Sequence, residues 1–133
     1  MTGSFPDVEA GVLDVLAPLA PGSNETPPDL DRRLAAVGDA AVAGWFRVRR
    51  IGGGDDGVTD AAQVDVDVFA TSRQRAFDLA RAARELLTDG PAPSAPGCIL
   101  DRVTVVVAPV EVPNENVRIT RYLATYRATA RRQ

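Results

Sequence analysis

The stretch Val112-Pro113-Asn114-Glu115-Asn116-Val117-Arg118-Ile119-Thr120-Arg121-Tyr122-Leu123-Ala124-Thr125-Tyr126-Arg127-Ala128-Thr129-Ala130-Arg131 decides the fold. A turn-forming Pro-Asn-Glu-Asn cluster leads into a long alternating run. Tyr122, Ala124, Tyr126, Ala128 and Ala130 share one face, and Arg121, Thr125, Arg127, Thr129 and Arg131 share the other. Period-two alternation of this length predicts a strand with one buried and one wet face. With no polar tail behind it, the strand is expected to fix the C-terminus within a sheet. Nothing else in the chain announces chemistry, so function has to be read from architecture.

Upstream, Ile99 to Val112 is Val-rich and reads as a second strand. Pro109 interrupts it, which predicts a bulge or an edge segment because proline cannot donate to the ladder. Pro91 to Gly97 is a Pro/Ala/Ser connector. Before it, Thr71-Ser72-Arg73-Gln74 has capping-box spacing and opens a helix that Gly90 and Pro91 end. Ala76, Leu79, Ala80, Ala83, Leu86 and Leu87 form its expected buried stripe, with Arg75, Asp78, Arg81 and Glu85 outside.

Trp45–Ile51 and Gln63–Ala70 read as a hairpin whose register follows from side-chain matching. Arg49 opposite Asp65 puts Arg47 opposite Asp67, Val48 opposite Val66, Phe46 opposite Val68 and Trp45 opposite Phe69. A shift by two residues keeps the faces but loses the charge matches. As surface ion pairs these are worth ~0.2–1 kcal/mol each, so they select register rather than hold the fold. The intervening Gly52–Ala62 segment reads as a flexible hairpin tip. A short strand near Arg33–Val37 with a turn at Gly38-Asp39 precedes the hairpin, and Ala20 to Asp29 is a long loop. Residues 5 to 19 read as a helix. Pro6 stands at its start, Asp7 and Glu9 in its first turn, and Val8, Val12, Val15, Leu16 and Leu19 along its apolar stripe. Pro18 kinks or stops it. The predicted fold is α+β: a mostly antiparallel sheet of four to five strands with two helices packed on one face.

The chain has 133 residues, read as one domain (1–133), with 45% hydrophobic and 25% charged residues. These are the proportions of a soluble globular protein. No apolar run approaches the ~20 residues of a membrane span, and no secretory signal is expected at the N-terminus, so synthesis is expected in the cytoplasm. The net charge of −3 argues against outright nucleic-acid binding. All 15 basic residues are arginine. Alongside abundant Ala, Gly, Pro and Val, this reflects GC-rich coding more than phosphate recognition. There is no His, which removes the commonest general base and metal ligand. The lone Cys98 therefore lacks a base and is read as inert, and thiolate zinc sites are excluded.

The remaining polar clusters point away from catalysis. Gly52 to Gly57 leads into a strand, carries Asp55 and Asp56 and has no Lys, so it is not a phosphate loop. Asp55, Asp56, Asp60, Asp65 and Asp67 do not have the twelve-residue calcium-loop spacing, and Arg47 and Arg49 compete for two of them. No nucleophile has a neighbouring base. We therefore expect no enzyme activity, catalytic residues, cofactor or metal. The Arg row of the last strand, including Arg118, Arg121, Arg127 and Arg131, is either a solvated face or a subunit interface; Arg tolerates ion-paired burial better than Lys does. On the interface reading, Arg121→Glu or Arg127→Glu leaves a folded monomer and weakens assembly.

The helix–strands–helix–two-strands order resembles the tail-terminator proteins of long-tailed (siphovirus-type) bacteriophages. So do the short length, the N-terminal amphipathic helix opening with Phe5-Pro6-Asp7, and the closing Pro113-Asn114-Glu115-Asn116…Arg121-Tyr122…Tyr126-Arg127. The resemblance implies a hexameric ring that caps the tail tube, ends its polymerisation and offers a docking surface to head-tail connector proteins. Genome DNA would pass through its lumen without specific binding, and a net-negative chain suits that passage because carboxylates and phosphates repel. The expected location is the head-proximal end of the virion tail, after assembly in the host cytoplasm. The tail-tube protein would be a partner, and Gly53, Gly54, Asp55 and Asp56 would order against it. A head-tail connector (neck) subunit is the near alternative. A small-molecule-binding α+β domain, which should show a deep pocket of converging polar groups, is the alternative from another class.

Overall fold

The structure is a computed structural model that describes residues 7–35, 44–55, 59–88, 94–95 and 98–131. Its elements are helix α1 (Val8–Leu16), strand β1 (Gly22–Ser23), helix α2 (Leu30–Ala35), strands β2 (Trp45–Asp55) and β3 (Thr59–Ala70), helix α3 (Arg73–Thr88), and strands β4 (Ser94–Ala95), β5 (Cys98–Val112) and β6 (Thr120–Arg131). The sheet order is β1-β2-β3-β6-β5-β4, antiparallel throughout except for the short parallel β1–β2 pair. This is the α+β fold that the alternation predicts.

The closing strand β6 is central, between β3 and β5, rather than at an edge. Tyr122, Ala124, Tyr126 and Ala128 are buried in the main core, as their alternation requires. Across β3 they pair with Val68, Val66, Val64 and Ala62, also buried. The β2–β3 register matches the expected one at all five positions, from Trp45↔Phe69 to Arg49↔Asp65. The strands run further than the side-chain pattern shows. β2 continues to Asp55 and β3 begins at Thr59, so much of the expected Gly52–Ala62 loop is paired ladder. Pro109 lies within a register shift between Val107 and Val110, the expected bulge.

On the core face, α1 carries Val8, Val12 and Leu16 into the sheet, with Val15 and Leu19 partly buried beside them. It spans Val8–Leu16 rather than 5–19. Asp7 is the N-cap, its Oδ1 accepting from the N–H of Ala10 at 3.1 Å. Residues 5–6 lie outside the described residues, as do Gly38-Asp39, Asp56-Gly57 and Gly90-Pro91. α3 buries Ala76, Leu79, Ala80, Ala83 and Leu87, but Leu86 is 40% exposed. At about 100° per residue the buried positions centre on the line through Ala76, Ala83 and Leu87, and Leu86 falls about 80° to one side, at the margin of the stripe. The α3 cap is Ser72, whose Oγ accepts from the N–H of Arg75, one residue later than the capping-box spacing suggests.

The opposite face of the sheet is where the sequence reading needs its main correction. Residues 30–35 form a helix, not the expected strand near Arg33–Val37. Leu30 and Leu34 of α2 bury with Trp45, Phe69 and Ile119 in a second, smaller cluster on that face. Among the described residues, helices therefore cover both sides of the sheet, two on one and one on the other. None of the described helices is long and apolar enough to cross a membrane.

Candidate functional site

The second face holds the densest polar constellation among the described residues. Asp67 on β3 is completely buried there, flanked by arginines from both neighbouring strands. Arg47 Nε donates to Asp67 Oδ2 at 3.1 Å, and its Nη2 lies 3.0 Å from the same oxygen. Arg121 Nε donates to Asp67 Oδ1 at 2.7 Å, and Arg49 approaches Oδ2 at 3.9 Å. Pairing on both oxygens offsets much of the cost of taking the carboxylate out of water. Both main guanidinium groups also stack on the Phe69 ring, at 5.5 Å for Arg47 and 5.9 Å for Arg121.

The register places these groups together. Arg47 is directly opposite Asp67, while Arg121 is opposite Phe69 and so diagonal to Asp67 on the same face. Arg49 is opposite Asp65 as expected, yet no ion pair forms between them among the described residues. Asp65 instead accepts from Thr125 Oγ1 at 2.7 Å.

Two loops wall this cluster into an open groove of about 490 Å³. The Ala20–Asp29 segment is pinned on one side. Trp45 Nε1 donates to the carbonyl of Glu25 at 3.3 Å, and Arg47 Nη1 to Thr26 Oγ1 at 3.2 Å. The Pro113–Asn116 cluster forms the other wall. There Asn114 Nδ2 donates to the carbonyl of Asn116, and Asn116 Oδ1 accepts from the N–H of Arg118. Arg47, Phe69 and Arg121 line the groove, but Asp31 and Glu115 line it too, so it is not a positive cleft. Both oxygens of Asp67 are already engaged by guanidinium groups.

No protein-family model matches the sequence, and no curated protein matches it. Among solved structures the fold does recur. A chain described as part of the virion of a native gene transfer agent (GTA) particle shares it. The TM-score is 0.59 at 16% identity, over 93% of this chain and 94% of that one. At that identity the likeness is one of fold.

Within this shared fold the sequence-derived candidates scatter. Arg121 belongs to the buried cluster, its side chain 23% exposed, whereas Arg118 and Arg127 are exposed. The side chain of Arg131 lies outside the described residues, as do those of Asp55 and Asp56. Gly53 has φ +106, and a Cβ there would collide with the backbone of Ala61 and Ala62; Gly54 meets no such obstacle. Local backbone geometry therefore accounts for Gly53. The sequence reading missed Asp67 as the organising charge. Its place in an apolar alternation, Val64-Asp65-Val66-Asp67-Val68-Phe69, signals a face but not how deeply that face is covered.

Proposed function

We propose that this chain is a structural subunit of a phage-type virion tail, a terminator that acts by assembly rather than catalysis. The observation that carries this reading is the fold shared over nearly the whole of both chains with a component of the gene transfer agent virion. The element order and closing motif that resemble tail terminators support it from the sequence side. In this reading six copies close into a ring on the head-proximal end of the tail tube, stop its growth and receive the head-completion proteins. Exposed Arg118 and Arg127, with the β2–β3 hairpin around Gly53 to Asp56, are the candidate contacts to neighbouring subunits or tube. An open groove with mixed charge on its walls fits a protein surface better than a small-molecule pocket.

Light scattering over a concentration series, alone and with the tail-tube protein encoded nearby, tests the proposal. A mass of six chains, alone or once tube is added, is expected, with rings visible by electron microscopy. A chain that stays monomeric and ignores tube protein would overturn the terminator role. Binding to head-completion proteins without tube would move it to the neck.

A further inference from the structure

We propose that neighbouring copies of this chain pair the outer stripe of α1 on one with a flank of α3 on the next. This deepens the ring reading by naming its contact surfaces and depends on that reading for closure alone. α1 and its C-cap turn Asp7, Ala10, Asp14 and Ala17 to solvent, at helical spacing and all exposed. From its cap onward α1 carries Asp7, Glu9 and Asp14 and no basic residue. Asp7 caps the helix, and Glu9 Oε2 accepts from the N–H of Arg50 at 2.7 Å. Asp14 has no ion-pair partner among the described residues.

α3 offers the converse surface. Arg73, Phe77, Arg81 and Arg84 lie along one flank, all exposed, with Phe77 at 44%. The Arg81 guanidinium sits 5.7 Å over the Phe77 ring, which meets Tyr122 edge-on at 6.1 Å. Arg73 is paired with Glu111, but Arg81 and Arg84 have no ion pair among the described residues. The helix has four arginines against Asp78 and Glu85, and Asp78 already accepts from Gln74.

One stripe is thus small and negative, and the other bulky and positive, each carrying charge with no ion-pair partner among the described residues. Ala10 and Ala17 leave room for the Phe77 ring, and Asp14 supplies the carboxylate that Arg81 lacks. Pairing like with like, α1 on α1 or α3 on α3, would instead set equal charges against each other. Two unlike patches on one chain make a head-to-tail contact, the kind that closes into a ring when its rotation divides a full turn.

Sedimentation equilibrium and light scattering of the full chain test this with charge exchanges at exposed positions. Arg81→Glu and Asp14→Arg are each expected to weaken self-association ~10-fold or more, with thermal unfolding close to that of the parent. Mixing the two variants one to one, or joining both changes in one chain, should restore association to within ~3-fold. The proposal is overturned by a variant that associates like the parent, by exchanges that fail to rescue, or by a parent monomeric to ~1 mM. A closed hexamer indifferent to the exchanges sinks this contact and leaves the ring. Open chains that obey them sink the ring and leave the contact.

Discussion

At Asp67, Arg47 and Arg121 each hold one oxygen of a carboxylate with no exposed surface. Asp67→Ala would leave two partly buried guanidinium groups without their counter-charge. Because the arginine side chains keep 19% and 23% exposure, water softens the loss. A destabilisation near the low end, about 3 kcal/mol, is expected in urea unfolding. The same geometry revises the expectation for Arg121→Glu, which would set a second carboxylate against Asp67 and lower monomer stability. Arg127→Glu, at an exposed position, tests assembly without that complication. Tyr126 makes the stability depend on pH at the alkaline end. Burial raises its phenol from 10.0 to about 12, with Arg84 pulling the other way. The folded state thus holds the proton more tightly than the unfolded one. That contribution is intact below pH 10 and is lost as pH rises from 10 to about 12. Tyr126→Phe should flatten the fall in stability over that window by up to about 2–3 kcal/mol, read from urea midpoints at several pH values.

Among the elements, the β2–β3 hairpin and the short helix α2 mark opposite limits of sequence reading. The hairpin register could be read because charge, apolar and aromatic matches coincide in one alignment. Its length could not, since Gly52-Gly53-Gly54 carries no alternation even though its backbone is laddered to Gln63-Ala62-Ala61. Gly53→Ala should show that this ladder is real. A side chain at φ +106, directed into the Ala61–Ala62 backbone, should cost about 1–3 kcal/mol in thermal or urea unfolding. Gly54→Ala serves as the control, with open space around it. α2 escaped notice for a different reason. Its six residues are too few for a helical period to stand out. What fixes it is distant in sequence. Leu30 and Leu34 pack on Trp45, Phe69 and Ile119, and the Arg33 guanidinium sits 5.6 Å over the Trp45 ring. Arg33 also bonds Asp29 at 2.9 Å, a local i,i+4 pair worth a few tenths of ~1 kcal/mol at the surface.

For the whole molecule, the proposed ring needs two unlike faces, and the fold supplies them by setting acidic α1 and basic α3 side by side on one layer of the sheet. The hexamer mass and the charge-exchange rescue are the measurements that check it. Much of the architecture is determined by the amino-acid sequence alone. Alternation assigns Tyr122, Ala124, Tyr126 and Ala128 to the core, cross-strand matching aligns β2 with β3, and helical spacing picks most of the buried stripes of α1 and α3. These are local regularities, each readable within one or two segments. The tertiary structure alone decided that β6 runs through the middle of the sheet. It also decided that residues 30–35 form a helix, and that the arginine face becomes partly interior around Asp67. Alternation separates two faces without saying what will cover them. Here the cover comes from the Ala20–Asp29 segment, α2 and the Pro113–Asn116 turn, gathered around the Arg47–Asp67–Arg121 cluster by a strand order that no single segment encodes.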